Sequence, residues 1–94
     1  MQAHLDEQVH ERILKIPAVK MAKPISPEEV RKRFGERIRE IRRKKGVSQE
    51  DLALACDVDR AFLGGVERGE RNISLLNIYK IARGLKVPAR ELMP

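Results

Sequence analysis

One stretch of this chain limits its possible folds more than any other: residues 48–69, SQEDLALACDVDRAFLGGVERG. Apolar residues recur at helical spacing in its first half, which predicts about two turns of amphipathic helix capped by Ser48. Residues 57–59 then break the helix, and Asp59 can cap a second short helix that stops at Gly69. The stretch therefore predicts two short helices joined by a tight turn.

Further helices are predicted on both sides of this pair. The first has Ser26 as its cap, Pro27 in its first turn and Glu29 placed to complete a capping box, and Gly46 ends it. Ser74 can cap the fourth helix, and Pro88 opens a last helical turn. The apolar positions expected to face inward are Val30, Phe34, Ile38, Ile41, Leu52, Ala53, Cys56, Leu75, Ile78, Ala82 and Leu85. No strand pattern or repeat interrupts the series, so we expect an all-α bundle of five helices.

The first 25 residues differ from the rest and are expected to form an N-terminal extension and linker, with the domain over residues 26–94. The apolar positions Leu5, Val9, Ile13 and Ile16 are compatible with an extra helix over roughly residues 3–15. Prolines at 17, 24 and 27 then interrupt the chain. Met21 is an alternative start, and the role of residues 1–20 stays open.

The distribution of charge favours a nucleic-acid partner. The net charge is +6, and residues 31–45 alone hold +7, while residues 1–30 hold −1 and residues 46–94 are neutral. The whole excess therefore lies on the first helix, RKRFGERIREIRRKK, where it raises the potential that phosphates experience. A solvated helix face is the alternative for many of these side chains.

Several classes of protein do not fit the sequence. No run of 18 apolar residues occurs in it, so we expect no membrane span, and the acidic residues near its start are not those expected of a signal peptide. Its single cysteine, Cys56, suits the cytoplasm. His4 and His10 with one cysteine make no metal site, and Ser48 and Ser74 are helix caps rather than nucleophiles. We therefore expect no metal, no cofactor and no enzymatic activity.

Two segments carry a resemblance to a known family: IREIRRKKGVSQEDLA and DRAFLGGVERGERNISLLNIYKIARGL. From about Phe34 to Leu92 the chain resembles the Cro/phage-repressor class of helix-turn-helix regulators, the XRE family. It looks closest to the small controller proteins of restriction–modification systems. The resemblance implies a lambda-repressor-like bundle whose third helix enters the major groove of DNA. One departure is Asp57, where the family usually has Gly; Asp tolerates left-handed backbone geometry, so the turn should survive.

The second helix of the motif provides the candidates for base contact. Arg60 points away from the apolar positions and can bind guanine O6 and N7, with phosphate contact or plain exposure as alternatives. Ala61 can touch a thymine methyl. Phe62 lies off the core face by helical phase, which favours DNA or a partner helix, with partial burial on the bundle as the alternative. Gly64 and Gly65 leave clearance for close approach to DNA, unless the pair makes no contact.

The resemblance implies further roles. Gln49, at the first turn of the second helix, would contact a phosphate, as would Arg68, Arg71 and Asn72 around the end of the third helix; simple exposure is the alternative for each. A carboxylate is repelled by phosphates, and the resemblance instead pairs Glu67 with Arg42 in a structural salt bridge.

These features predict a sequence-specific DNA-binding transcriptional regulator that acts as a homodimer on a pseudo-palindromic operator, including the autoregulatory controller type. Its partner would be double-stranded DNA, and the apolar residues Leu85, Val87, Leu92 and Met93 would form the dimer interface. The main alternative is an antitoxin that also binds DNA, and its further partner would be a toxin. A transcriptional regulator would instead have RNA polymerase as its further partner. An interaction module that does not bind DNA is a third class, which Arg60 disfavours.

Overall fold

A computed structural model describes residues 24–94, which form four α-helices and a short 3₁₀ helix. The helices are α1 (Pro27–Lys44), α2 (Gln49–Cys56), α3 (Arg60–Glu67) and α4 (Leu75–Leu85), and the 3₁₀ helix covers Ala89–Leu92. The predicted all-α bundle of five helical segments is confirmed, and its last helical turn is a 3₁₀ helix. The helix expected over residues 3–15 lies outside the described residues. Within residues 24–94, no helix has both the length and the apolar character to cross a membrane.

Serine caps begin three of the helices, as predicted. The hydroxyls of Ser26, Ser48 and Ser74 each accept a hydrogen bond from the backbone N–H three residues ahead, at 3.0–3.2 Å. Two predicted details are wrong. Glu29 does not complete a capping box, because its carboxylate accepts a hydrogen bond from Arg33 instead. Asp59 occupies the cap position of α3, but its side chain makes no capping hydrogen bond.

The turn between α2 and α3 depends on a left-handed residue. Asp57 has φ of 56° and ψ of 48°, which confirms the geometry expected where the family usually has Gly. The N–H of Val58 donates to the carbonyl of Ala53 at 3.0 Å and closes the turn. The direction of α3 relative to α2 is therefore set by local backbone geometry.

The core joins all five helical segments. Its most deeply buried side chains are Ile38, Leu52, Leu63, Val66, Ile81, Leu85 and Leu92. Two predicted core positions are wrong: Val30 is 40% exposed and Leu75 is 69% exposed. Ile81, which the sequence analysis did not single out, is fully buried on α4. The apolar stripes of α1 and α4 are therefore shorter at their N-terminal ends than the sequence pattern indicates.

Burial corrects the dimer interface expected near the C-terminus. Leu85 and Leu92 are 2% and 0% exposed, because both pack into the core of their own protomer, so neither can contact a second copy. Val87 is half-buried against the same core, and Met93 is exposed. The strongly exposed apolar side chains lie elsewhere, and several of them are on α4.

The helices α1 and α3 touch through their backbones. A Cβ atom at Gly35 would collide with the carbonyl oxygens of Val66 and Glu67. Only glycine at this position allows so close an approach. The contact fixes α3 against the longest helix of the bundle.

Candidate nucleic-acid interface

The outer face of α3 carries little side chain. Leu63 and Val66 point into the core, so the opposite stripe, at spacing i, i+3, i+4 and i+7, consists of Ala61, Gly64, Gly65 and Arg68. At three of these four positions the side chain is a methyl group or is absent. Any ligand that lies along this face therefore meets the helix backbone and the side chains folded over it.

Side chains from neighbouring positions cover the two glycines. A Cβ atom at Gly64 would lie 3.1 Å from Arg68 Nη1 and 3.5 Å from Gln49 Oε1. A Cβ atom at Gly65 would lie 3.1 Å from Arg71 Cγ and 3.2 Å from its Nε. The clearance expected for DNA is thus occupied in the free protein by three polar side chains that lie across α3.

Arg71 packs against an aromatic ring on α3. Its guanidinium carbon lies 5.8 Å from the centroid of the Phe62 ring, within the range of a cation–π contact. Phe62 is half-buried and packs against the core, so the expectation that it lies off the core face is wrong and the alternative of partial burial is correct. The ring keeps Arg71, a residue of the following loop, beside the helix.

Gln49 has a fixed orientation. Its Nε2 donates to Glu67 Oε1 at 3.2 Å. Because a carboxylate only accepts hydrogen bonds, the amide nitrogen is the atom bound to Glu67. The whole amide lies over Gly64, with Oε1 at 3.5 Å and Nε2 at 3.7 Å from a Cβ atom placed there. The side chain expected at a phosphate is therefore already bound to α3 through one of its two N–H groups.

Glu67 is the buried ionic centre of the site. Its side chain is 1% exposed and accepts hydrogen bonds from Arg42 Nε at 2.8 Å and Arg42 Nη2 at 3.0 Å. Arg39 Nε lies 3.7 Å from the same carboxylate. The sequence analysis did not assign Arg39 or Gln49 to Glu67. Arg39 precedes Arg42 by three residues on one face of α1, and this spacing is the signal that identifies it.

The remaining candidates are exposed. Arg60 Nη1 lies 3.9 Å from Glu50 Oε2, and the Arg60 side chain is 65% exposed. Arg68 donates to both carboxylate oxygens of Glu70, from Nε at 2.9 Å and from Nη2 at 3.2 Å. These hydrogen bonds raise the pKa of Arg68 and lower the pKa of Glu70. Ala61 and Asn72 are exposed as well.

Several cations of α1, and Lys45 directly after it, have partners within the protein. Arg33 and Lys44 form ion pairs within the helix, Arg37 donates to the carbonyl of Glu91, and Lys45 donates to the carbonyl of Leu85 at 2.6 Å. Arg37 and Lys45 therefore hold the end of α4 and the 3₁₀ helix against α1.

Comparison with known proteins gives consistent matches. A helix-turn-helix family model matches residues 38–92. Control protein C.BamHI of Bacillus amyloliquefaciens is 45% identical over 65 residues, which cover 68% of this chain and 80% of that protein. Control protein C.MunI of Mycoplasma sp is 38% identical over 65 residues, which cover 68% of this chain and 88% of that protein. The crystal structure of the restriction-modification controller protein C.AhdI from Aeromonas hydrophila superposes with a TM-score of 0.65 at 53% identity, over 66% of this chain and 94% of that one.

Proposed function

The chain belongs to the helix-turn-helix family and is a DNA-binding transcription regulator, and from that premise we propose that it is a homodimeric controller that binds a two-fold symmetric operator upstream of its own gene. Residues 26–94 form the DNA-binding domain in this proposal. The similarity to control proteins C.BamHI and C.MunI supports the controller type. Each protomer would insert α3 into the major groove, with half-site centres about 34 Å apart.

The observation that carries the proposal is the arrangement of cations around the outer face of α3. Arg60 lies at its N-terminal end, Arg68 at its C-terminal end and Arg71 beside it. No carboxylate lies on the outer stripe of α3 itself, because Glu67 is buried beneath the helix. This surface can approach the edges of base pairs and bind the flanking phosphates.

The individual contacts follow from these positions. Arg60 binds guanine O6 and N7 through its exposed guanidinium, and Ala61 contacts a thymine methyl. Gln49 donates its second amide hydrogen to a phosphate. Arg71 and Asn72, both in the loop after α3, contact the phosphate backbone.

An exposed apolar face on α4 is the proposed dimer interface. Leu76 and Tyr79 lie on one face of the helix and are 65% and 59% exposed, and Leu75 beside them is 69% exposed. Apolar residues buried between two copies add a favourable free energy of association. A second copy of this chain is the occupant we propose, because a two-fold operator requires two α3 helices in fixed relation.

A gel-shift titration of the upstream region of the protein's own gene tests the proposal. We expect saturable binding that a scrambled duplex does not compete away, and an Arg60→Gln variant that loses much of this discrimination. Failure to shift any promoter fragment at low salt contradicts the function. Copurification with the product of a neighbouring gene supports the antitoxin alternative instead.

A further inference from the structure

The middle of α3 has few side chains long enough to contact a base. On the outer stripe, Ala61, Gly64 and Gly65 extend no further than a methyl group, so Arg68 has the only long side chain. Direct recognition of a base pair in the major groove needs a donor or acceptor that reaches the base edge. On this stripe, only the Arg68 guanidinium meets that requirement.

The Arg68 side chain runs back along the helix. Although Arg68 follows the last turn of α3, its Nη1 lies 3.1 Å from the place of a Cβ atom at Gly64, one turn closer to the N-terminus. This direction is the usual one for long side chains on helices. The N-terminal part of a recognition helix is the part that contacts bases. The guanidinium is therefore nearer to the base edges than its residue number indicates.

Glu70 holds one edge of this guanidinium. Nε and Nη2 of Arg68 donate to the two carboxylate oxygens, which fixes the plane of the group. Nη1 and the second hydrogen of Nη2 form the other edge, which these two hydrogen bonds leave for another ligand. Guanine presents two acceptors, O6 and N7, at a spacing that such an edge can bind.

We propose that Glu70 is a positioning residue that holds the Arg68 guanidinium across Gly64, so that Arg68 binds a guanine through its second edge. The inference rests on the proposed DNA-binding function and deepens it, because it moves Arg68 from phosphate contact to base contact. A carboxylate that only competes with DNA for Arg68 would act differently: its removal would strengthen binding to every sequence equally. The two cases therefore predict different sequence preferences for a protein that lacks the Glu70 carboxylate.

Selection from a randomised duplex library, with the bound pools sequenced, separates these cases. We expect the Arg68→Gln variant to lose the preference for guanine at one position of each half-site. The Glu70→Gln variant should lower the preference at that same position by about threefold to tenfold, a part of what a two-pronged arginine–guanine contact contributes. Its binding to random DNA should be unchanged or tighter, because a negative charge near the phosphates is removed. Glu36→Gln, which removes an equal charge from the exposed face of α1, is the matched control and should keep the wild-type preference.

Two results would overturn the inference alone. One is that the wild-type protein enriches particular sequences and the Arg68→Gln variant prefers guanine at all the same positions. The other is a Glu70→Gln variant that binds every sequence more tightly by the same factor, which identifies Glu70 as a competitor. A wild-type pool without any enrichment contradicts the proposed function itself and this inference with it.

Discussion

Arg42 of α1 and Glu67 of α3 are joined by two hydrogen bonds, at 2.8 and 3.0 Å, and their side chains are 13% and 1% exposed. The pair lies beneath α3, on the side away from the proposed DNA surface. The same arginine also donates to the carbonyl of Val47 at 3.1 Å, which ties the loop after α1 to the pair. Its contribution is therefore to hold α3 on the scaffold.

Arg42→Ala should lower the free energy of unfolding by about 3 kcal/mol, because it leaves a buried carboxylate with only weaker partners. Urea denaturation measures this change. DNA affinity, measured where the variant is still folded, should fall much less. Arg33→Ala, which removes an exposed pair with Glu29, is the control and should cost about 0.5 kcal/mol or less. An unchanged free energy of unfolding in Arg42→Ala would count against a structural role for the pair.

Asp57→Gly should stabilise the protein by about 0.5–1 kcal/mol, since glycine adopts the left-handed conformation at φ of 56° without a steric penalty. Thermal unfolding compares this variant with the wild type. Asp51→Gly, in the first turn of α2, provides the opposite control and should destabilise the protein, because glycine there removes helix-forming preference. A lower melting temperature for Asp57→Gly would mean that the aspartate side chain stabilises the turn by more than its strain costs.

Cys56 gives a prediction at alkaline pH. Burial raises the pKa of its thiol from 9.0 to about 11. The folded protein therefore retains a proton that the unfolded chain loses first, so the contribution of the thiol to stability is complete below about pH 9 and is lost as the pH rises toward 11. The difference in unfolding free energy between wild type and Cys56→Ala should shrink over that interval. A difference that stays constant up to pH 11 would contradict the raised pKa.

Leu76→Asp should convert the proposed dimer to a monomer, because it places a charge in the centre of the apolar face of α4. Sedimentation equilibrium measures the association, and operator affinity should fall with it. The fold should persist, since the side chain is 65% exposed. Leu54→Asp, the same substitution at a side chain that is 76% exposed on α2, is the control for an added negative charge. A Leu76→Asp protein that remains dimeric would place the interface on another surface.

The local features of this fold were predictable from the sequence, whereas the partner of each apolar side chain was not. Ser48 and Asp57 act through neighbours within a few residues, so their roles follow from short patterns. Leu92 is apolar in sequence, but only the tertiary structure shows that the core of its own protomer covers it. The hydrogen bond from Gln49 to Glu67 joins α2 to α3, and the contact between Arg71 and Phe62 joins the following loop to α3. No helical period predicts such contacts.

The backbone contact at Gly35 has a consequence for the choice of operator. Because α3 rests on α1 without an intervening side chain and is anchored there by Glu67, it has little freedom to tilt or slide on binding. In a dimer, two such helices would keep a fixed separation and a fixed relative orientation. The DNA must then bend or twist to bring its two half-sites into line with the helices. Operators with flexible pyrimidine–purine steps between the half-sites would therefore bind at the lowest elastic cost. Part of the selectivity would thus come from the mechanics of base pairs that the protein never touches.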